Sequence, residues 1–349
     1  MLRAALALAA LSSAATALPT PIPVFTAARG GATYRIPALV RTAAGTLIAF
    51  AEQRTGGDCD SKSIVAARSE DGGRSWGPPA PVAGSPRGVT GNPTAVFDAV
   101  SGRVVLALAS GGCNPAAATA VLDDGGSDGR AWGAPRVLPS LGAHSGALPG
   151  PGSAAQLPSG RLVFPAHFGA YVADIVVFSD DHGATWQVSP TLLPQMDEAA
   201  IAVVPGSNSS LVAAMRNNHL SPRRTVAWSA SADAGATWSL PVTYDNPLLT
   251  PVCQASLVAL EGALYFSGPR STSARTNLTI LRSTDGGASW GAAGFQVQAG
   301  SSNGYSCMAS GSAVLPGLGG ILFEGLGSIA FAHFPLDLGE AAAASAAPA

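Results

Sequence analysis

The sequence predicts an all-β fold, a six-bladed β-propeller whose blades are four-stranded and antiparallel. Three observations support this prediction. An eight-residue motif recurs at steps of about 52 to 58 residues, short apolar segments rich in β-branched residues lie between its copies, and long segments with a helical period are scarce. Self-similarity at such a period is typical of a propeller or another repeat array.

The recurring motif has the form Ser-x-Asp-x-Gly-x-Ser/Thr-Trp and is called the Asp motif below. Each copy predicts a hairpin turn, because the Asp carboxylate can accept hydrogen bonds from nearby backbone N–H groups and the Gly allows a positive φ. The Trp ring is expected to pack under the turn with its N–H bonded to a partner. We therefore interpret these aspartates as structural rather than catalytic. Four copies occupy residues 69–76, 179–186, 231–238 and 283–290, and a degraded fifth copy runs from Asp124 to Trp132.

The segments between the Asp motifs supply the strands. They are short and apolar with turn residues between them, as in residues 102–109, 161–166, 211–215 and 321–323. About four such strands per 52 residues, over roughly 320 residues, correspond to six blades. Because only four Asp motifs are well formed, one or two blades are poorly marked.

The two ends of the sequence differ from the rest. Residues 1–3 form a short positive start, residues 4–11 are apolar, and residues 15–17 form a small-residue cleavage site. This order predicts a secretory signal peptide over residues 1–17, and an Ala-rich disordered start is the alternative. Cleavage would place the protein in the secretory pathway, either secreted or lysosomal. The propeller is expected to occupy residues 18–338, and the Ala-rich tail, residues 339–349, is expected to be disordered.

The composition excludes several classes of protein. Only 11% of the residues are charged and the net charge is −2, and Lys62 is the single lysine beside 18 arginines. A nucleic-acid-binding protein would need a basic face, which this balance does not supply. No apolar stretch of about 18 residues follows the first segment, so no integral membrane segment is expected. The oligomeric state is not indicated.

Four cysteines permit three disulfide pairings. Cys59 and Cys113 are 54 residues apart, as are Cys253 and Cys307. Because this gap is close to the repeat, pairing within each of these couples is expected, and four buried free thiols are the alternative. The cysteines are widely spaced and have no nearby pair of histidines, so no metal site and no cofactor are expected.

A resemblance appears at the segment Tyr34-Arg35-Ile36-Pro37, which places an arginine in a strand-like stretch. Together with the four Asp motifs and later Arg and Tyr motifs, this segment resembles the sialidase (exo-α-neuraminidase) family, particularly its animal lysosomal and bacterial branches. The resemblance extends from about Pro23 to Pro335. It implies a retaining exo-α-sialidase that hydrolyses terminal sialic acid from glycoproteins, glycolipids or oligosaccharides.

The family resemblance assigns substrate-binding roles to five residues. Arg35, Arg216 and Arg275 match three arginines that bind the substrate carboxylate, and a guanidinium fork is suited to a carboxylate. Glu324 matches the acid that supports the first arginine, and Arg54 matches an arginine near a ring hydroxyl of the sugar. The alternative for any one arginine is a surface residue whose stem packs on apolar neighbours. For Arg54, the alternative is a surface ion pair with Glu52.

The resemblance also implies three catalytic residues. Tyr305 matches the nucleophile, Glu198 its base partner, and Asp58 the group that protonates the leaving oxygen and later activates water. A neutral phenol avoids repulsion from the substrate carboxylate, but its pKa near 10 requires a carboxylate to take its proton. Asp197 replaces Glu198 if the register slips by one residue, and Asp60 competes with Asp58.

Two other functions stay open beside hydrolysis. A sialic-acid-binding propeller without catalysis would need only the arginines, so the presence of Asp58, Glu198 and Tyr305 speaks against it. A trans-sialidase would be marked by aromatic residues that hold the acceptor sugar, and no clear candidate occurs among the 6% aromatic residues. One departure from the family pattern is Ser267-Gly268-Pro269, where the family commonly has Ser-Asn-Pro.

Overall fold

A computed structural model describes residues 20–338. Within that range it leaves out a few short segments, which are residues 28–30, 86, 113–115, 117, 170–171, 221–223 and 244–247. The expected signal peptide and Ala-rich tail lie outside the described residues, as does Cys113. Within the described part of the chain, no helix combines the length and apolar character needed to cross a membrane.

Six sheets stand in a ring around a central axis, and the predicted six-bladed β-propeller is confirmed. The blades are numbered 1 to 6 in chain order, and strands are given from the axis outward. Blade 1 contains Thr33–Arg41, Leu47–Arg54, Lys62–Ser69 and Ala80–Ala83. Blade 4 contains Met196–Val203, Leu211–Asn217, Ala227–Ser231 and Val242–Thr243. Blade 5 contains Ser256–Leu260, Ala263–Pro269, Thr276–Ser283 and Phe295–Ser301.

Blades 2 and 3 share an irregular inner segment. Blade 2 contains Thr90–Asp98, Arg103–Ser110, Ala118–Asp123 and Arg136–Val137, and Gly152–Ser153 adds to its innermost strand in parallel. Blade 3 contains the inner strands Leu148–Pro149 and Ala155–Gln156, then Leu162–Phe168, Ala173–Ser179, and the outer strands Gln187–Val188 and Leu193–Pro194. A 3-10 helix, Pro139–His144, precedes blade 3.

Blade 6 closes the ring with strands from both ends of the described chain. Its strands from the axis outward are Ser306–Met308, Leu318–Glu324, Ile329–Pro335 and Ile22–Phe25. The outermost pair is antiparallel, with Ile22 opposite Phe331. Phe25 and Phe331 are both fully buried, so the closing strand is held by apolar packing as well as by the ladder.

The core lies between neighbouring blades. Strands in the middle of a blade are covered on both faces, so they read as continuous apolar runs rather than alternating patterns. Leu47 to Ala51, in the second strand of blade 1, is fully buried throughout. One face of this strand packs with blade 2 and the other with blade 6. The low charge content of the sequence follows from this stacking of sheets.

The Asp motifs form the turns between the third and fourth strands of blades 1, 3, 4 and 5. In blade 4, Asp233 accepts hydrogen bonds from the Ser231 hydroxyl, the Thr237 backbone N–H and the Thr237 hydroxyl. The hydrogen bonds from Thr237 lower the pKa of Asp233 to about 2 against a small opposing effect of burial, so this carboxylate stays ionised. The structural interpretation of these aspartates agrees with this geometry.

The tryptophans of the motifs follow the prediction in three copies out of four. The indole N–H groups of Trp76, Trp186 and Trp238 donate to the motif glycine carbonyls at 3.1–3.2 Å. The Trp290 N–H has no hydrogen-bond partner among the described residues, so the expectation is wrong for this copy. Its ring instead stacks on Trp228 with centroids 5.6 Å apart.

The degraded fifth motif also forms a turn, at the corresponding place in blade 2. Asp124 accepts hydrogen bonds from the backbone N–H groups of Val104, Gly126 and Gly129. This carboxylate therefore organises its loop with a different set of donors. In blade 6 the corresponding turn does not exist, because the fourth strand comes from the other end of the chain.

The expected pairing of Cys253 with Cys307 is wrong, because both are buried free thiols. Gln254 and Ser306 are hydrogen-bonded neighbours, so Cys253 lies level with Tyr305 while Cys307 lies deeper along the next inner strand. Cys253 packs with Ile36 and Tyr305, and Cys307 belongs to a different apolar cluster. Cys59 is disulfide-bonded, which excludes the alternative of four free thiols.

Candidate active site

A cavity of about 330 Å³ opens at the end of the axis where the inner strands begin. Seven of the eight residues nominated from the sequence line it, and the eighth, Glu324, lies behind Arg35. The seven are Arg35, Arg54, Asp58, Glu198, Arg216, Arg275 and Tyr305. They come from blades 1, 4, 5 and 6, so the ring brings together residues that are up to 270 positions apart (Arg35 to Tyr305).

Arg35 is turned into the cavity by a β-bulge in the inner strand of blade 1. Ile36, the next residue, has a φ of 59°, which is unusual for a β-branched residue. The Ile36 N–H donates a 2.8 Å hydrogen bond to Glu324. The guanidinium of Arg35 donates two more, of 3.0 and 3.1 Å, to the two oxygens of the same carboxylate. Glu324 thus fixes both the bulge at Ile36 and the Arg35 side chain that the bulge directs into the cavity.

Glu324 is fully buried but well compensated. Besides Arg35 and the Ile36 N–H, it accepts a 3.2 Å hydrogen bond from the backbone N–H of Tyr305. Burial tends to lower the pKa of Arg35, but the charge and hydrogen bonds of Glu324 outweigh burial and raise that pKa. Arg35 therefore stays charged, and one carboxylate ties it to the strand that carries Tyr305.

Tyr305, Glu198 and Arg216 form a hydrogen-bonded triad. The Tyr305 hydroxyl donates a short hydrogen bond to one oxygen of Glu198. Nη1 of Arg216 donates to the other Glu198 oxygen at 2.8 Å and to the Tyr305 oxygen at 3.2 Å. This geometry places a proton acceptor and a cation on the same phenol.

Burial sets the protonation of this triad. Burial raises the pKa of Glu198, and the charge of Asp197 adds to this against the opposing charge of Arg216. Burial also raises the pKa of Tyr305 well above its usual value, assisted by the charge of Glu198. The phenol therefore keeps its proton at rest, and Glu198 is the group positioned to receive it.

Three arginines converge on the ring of Tyr305. The guanidinium carbons of Arg35 and Arg275 lie 5.0 and 5.3 Å from the ring centre, and Arg216 reaches the hydroxyl. Arg275 donates to the Asn303 carbonyl at 2.9 Å and forms no ion pair with the described carboxylates. A cluster of guanidinium groups of this kind attracts an anion, above all a carboxylate.

Asp58 lies in the loop that joins strands Leu47–Arg54 and Lys62–Ser69. Arg54 donates a 2.5 Å hydrogen bond to it, Arg35 lies 3.8 Å away, and its side chain is 75% exposed. Burial tends to raise the pKa of Asp58, but the hydrogen bond and charge of Arg54 outweigh burial and hold the pKa below its usual value. Its rival Asp60 accepts a hydrogen bond from the Gly57 N–H within the loop and does not line the cavity.

Arg54 belongs to a buried network, which contradicts the surface ion pair considered for it. Glu52 is fully buried and accepts a 2.6 Å hydrogen bond from Arg54 Nε and a 2.7 Å bond from the Asn92 N–H. The Lys62 ammonium lies 3.3 Å from the same carboxylate. Lys62 and Asn92 line the cavity and were missed by sequence reasoning. The one available signal was that Lys62 is the single lysine of the sequence.

Asp197, the alternative to Glu198, forms no hydrogen bond with Tyr305 among the described residues. Its oxygens lie 3.2 Å from Arg216 Nε and 3.6 Å from His167 Nε2, and it accepts a 3.0 Å hydrogen bond from Asn218. It holds the far side of the Arg216 guanidinium. His167 lines the cavity wall beside it.

Asp174 lies behind this wall and was not anticipated. It is opposite His167 in the neighbouring strand and is fully buried. Neither of its carboxyl oxygens has a hydrogen-bond partner among the residues that the structure describes. Burial, together with the charges of Asp197 and Glu198, raises the pKa of Asp174 well above its usual value.

Comparison with known proteins identifies the family of the chain. The BNR repeat-like domain matches residues 45–313. A sialidase of Bacteroides fragilis (strain YCH46) is 31% identical over 319 residues, which cover 79% of this chain and 58% of that protein. A sialidase of Micromonospora viridifaciens is 30% identical over 346 residues, which cover 87% of this chain and 51% of that protein.

A solved structure agrees with the fold. The Hadza microbial sialidase Hz136 superposes with a TM-score of 0.75 at 27% identity, over 87% of this chain and 66% of that structure. The chain spans between one half and three fifths of the length of the two curated relatives.

Proposed function

The chain belongs to the BNR repeat-like family, and we propose that it is a retaining exo-α-sialidase acting on terminal sialic acid of glycoproteins, glycolipids or oligosaccharides. The observation that carries the proposal is the triad in which the Tyr305 hydroxyl donates to Glu198 while Arg216 contacts both. The sialidases of similar sequence support the reaction class.

The arginine cluster supplies the substrate-binding site. Arg35, Arg216 and Arg275 bind the sialic acid carboxylate, which lies on the anomeric carbon that reacts. Arg35 and Arg216 are partly neutralised by Glu324 and Glu198, while Arg275 brings an unpaired charge. Binding through this carboxylate holds the anomeric carbon near the Tyr305 oxygen.

In the first step, the Tyr305 oxygen attacks the anomeric carbon while Glu198 accepts the phenolic proton. The bond from the anomeric carbon to the leaving oxygen breaks, and Asp58 donates its proton to that oxygen. The product is a tyrosyl glycoside with a neutral Glu198 and an ionised Asp58. A phenol suits this role because a carboxylate nucleophile would be repelled by the substrate's own carboxylate.

In the second step, Asp58 takes a proton from a water molecule, whose oxygen attacks the anomeric carbon. The bond to the Tyr305 oxygen breaks, and Glu198 returns its proton to the phenolate. The two displacements together retain the configuration, and all three groups return to their starting states. Glycosidases that use a tyrosine nucleophile in this way are a recognised exception among two-carboxylate enzymes.

We also propose residence in the secretory pathway. The disulfide at Cys59, beside Asp58, supports it because disulfides persist in oxidising compartments.

Release of the fluorophore from an aryl α-sialoside tests the function, with Tyr305→Phe as the variant. We expect a loss of about 10³-fold or more in kcat/KM, because the nucleophile is removed with almost no change in volume. Tyr265→Phe is the matched control, since its hydroxyl donates to the Leu336 carbonyl at 2.7 Å and lies outside the cavity.

Three other outcomes would change the conclusion. Saturable binding of free sialic acid without turnover would identify a sialic-acid-binding propeller. Transfer to an added sugar in place of water would identify a trans-sialidase. If neither turnover nor binding is detected between pH 4 and 8, the proposal for the arginine cluster is overturned.

A further inference from the structure

Lys62 is the single lysine of the sequence, and it lies inside the propeller rather than on its surface. Its side chain is 4% exposed, and its ammonium nitrogen lies 3.3 Å from the fully buried Glu52 carboxylate. Lysine is almost never fully buried unless it is paired. The pair stands at the wall of the candidate active site, on the side of Asp58.

Glu52 connects Lys62 to the candidate acid. One Glu52 oxygen is paired with Lys62, and the other accepts a 2.6 Å hydrogen bond from Arg54 Nε. Nη1 of Arg54 then donates to Asp58 at 2.5 Å. The four side chains form a continuous row of alternating charge, in which Asp58 is the exposed end.

The backbone of blade 2 confines this row. A Cβ placed on Gly91 would lie 2.2 Å from Glu52 Oε1 and 2.9 Å from the Lys62 nitrogen. The Asn92 N–H donates to the same Glu52 oxygen at 2.7 Å. Because the pair is enclosed, a change of charge within it acts on Arg54 and Asp58 rather than being relieved by movement into solvent.

We propose that Lys62 is a positioning residue that acts through Glu52 and Arg54 to set the pH range in which Asp58 carries its catalytic proton. This proposal rests on the sialidase function proposed above. Lys62 partly neutralises the Glu52 carboxylate. Glu52 therefore neutralises less of the Arg54 charge, and more of that charge acts on Asp58. Lys62 also acts on Asp58 directly as a cation.

Both effects have the same sign. Against the opposing effect of burial, the bond from Arg54 and the charges of Arg54, Arg35 and Lys62 favour the ionised form of Asp58. Removing the positive charge of Lys62 therefore raises the pKa of Asp58, and removing the negative charge of Glu52 lowers it. The acid must be protonated in the first step, so the alkaline limb of the pH profile follows its pKa.

Asp58 is also near charged and titratable groups that these substitutions leave in place. On its own blade and the adjoining blade 6 they are Arg35, Arg54, Asp60 and Glu324, and around the rest of the cavity they are His167, Asp197, Glu198, Arg216, Arg275 and Tyr305. Apart from Arg54, through which the Glu52–Lys62 pair acts, their contributions are common to all variants, so the differences between variants report that pair and the Arg54 link.

The test is the pH dependence of kcat/KM on an aryl α-sialoside for Lys62→Met, Glu52→Gln and the double variant. We expect the alkaline limb to move up by about 0.5–1 pH unit in Lys62→Met and down by a similar amount in Glu52→Gln. The double variant restores the charge balance and should return the limb toward that of the wild type. Lys62→Arg keeps the positive charge, so its alkaline limb should lie close to that of the wild type.

A purely structural role would lower the rate alike at every pH and leave the limb in place, and that result would overturn the proposal. A second readout is the ¹³C NMR titration of Asp58 in aspartate-labelled protein, with its signal assigned by Asp58→Asn. This readout separates the two proposals. If the wild type lacks turnover while the Asp58 pKa still moves in opposite directions in the two single variants, the sialidase proposal fails and the coupling stands. If turnover is present and the pKa does not move, the role of Lys62 fails alone.

Discussion

Ten charged side chains form the site or support it from behind, and five cations balance five carboxylates. The cations are Arg35, Arg54, Lys62, Arg216 and Arg275, and the carboxylates are Glu52, Asp58, Asp197, Glu198 and Glu324. They make up a quarter of the 40 charged residues of the sequence. This concentration of charge in an otherwise apolar protein is maintained because nearly every member is paired, as buried ions require.

Asp174 lies outside this paired set, because it is buried without a hydrogen-bond partner among the described residues. Its folded-state pKa is raised, so the folded state holds the proton more tightly and stability is lost as the pH rises from about 4 towards the folded-state pKa. We expect Asp174→Asn to increase the free energy of unfolding by about 1–3 kcal/mol at pH 7 and to change it little near pH 4. Urea denaturation at the two pH values measures this difference.

A lower stability of Asp174→Asn at pH 7 would contradict this account and would mean that the carboxyl group is stabilised in the native protein. Sialoside turnover by the same variant serves as the control for the site, since Asp174 does not line the cavity.

Residue identities in the site were predictable only where a residue type and its local motif sufficed. Arg35 and Tyr305 were found in this way, whereas Lys62 and Asp174 were not. Their roles depend on which strand of another blade, or of the same blade, lies against them. A one-dimensional pattern does not contain that information, so the partner of a buried charge emerges only from the folded ring.

At the scale of the element, the Asp motif is the local device that repeats. In blade 3, Asp181 accepts hydrogen bonds from the Ser179 hydroxyl and from the backbone N–H and hydroxyl of Thr185. Its neighbour Asp180 is half exposed, and its contacts among the described residues are two hydrogen bonds from Arg161. The two adjacent aspartates therefore allow a matched comparison within one turn.

We expect Asp181→Ala to lower the free energy of unfolding by about 1–3 kcal/mol and Asp180→Ala by less than about 1 kcal/mol. Burial tends to raise the pKa of Asp181, but the hydrogen bonds from Thr185 and Ser179 together outweigh burial and lower it. Its contribution is thus present above pH 4 and is lost as the pH falls through the folded-state pKa. Denaturant titrations between pH 7 and pH 3 test both statements. Equal losses of unfolding free energy in the two variants would show that the hydrogen bonds of Asp181 within the turn do not stabilise the protein more than the Asp180–Arg161 pair does.

The elements were predictable wherever the Asp motif and a buried strand occur together. The interrupted inner strand of blade 3 was not, because Gly152–Ser153 joins the sheet of blade 2 in parallel. The packing of two blades against each other determines which sheet such a segment joins. Trp290 shows the same limit, since its ring stacks on Trp228 from another part of the chain.

At the scale of the whole molecule, the spacing of the motifs predicted the number of blades, because each repeat supplies one blade of a closed ring. The way in which the ring closes was not predictable. Ile22–Phe25 lacks the Asp motif and is too short to be recognised as an outer strand from its pattern. Its place follows from the free edge that Ile329–Pro335 would otherwise expose.

This closure makes the molecule a cyclic object in which the starting point of the chain is arbitrary. Ile22 lies opposite Phe331, so a short Gly/Ser linker could join residue 20 to residue 338. New termini could then be opened at Gly206, in an exposed turn on the face opposite the cavity. We expect this circular permutant to fold and to retain turnover, while one opened within Leu211–Asn217 should not fold. Denaturation curves and sialoside hydrolysis distinguish the two. The same propeller would then form from sequences that begin in different blades, and the blade with which the chain starts would not matter to the fold.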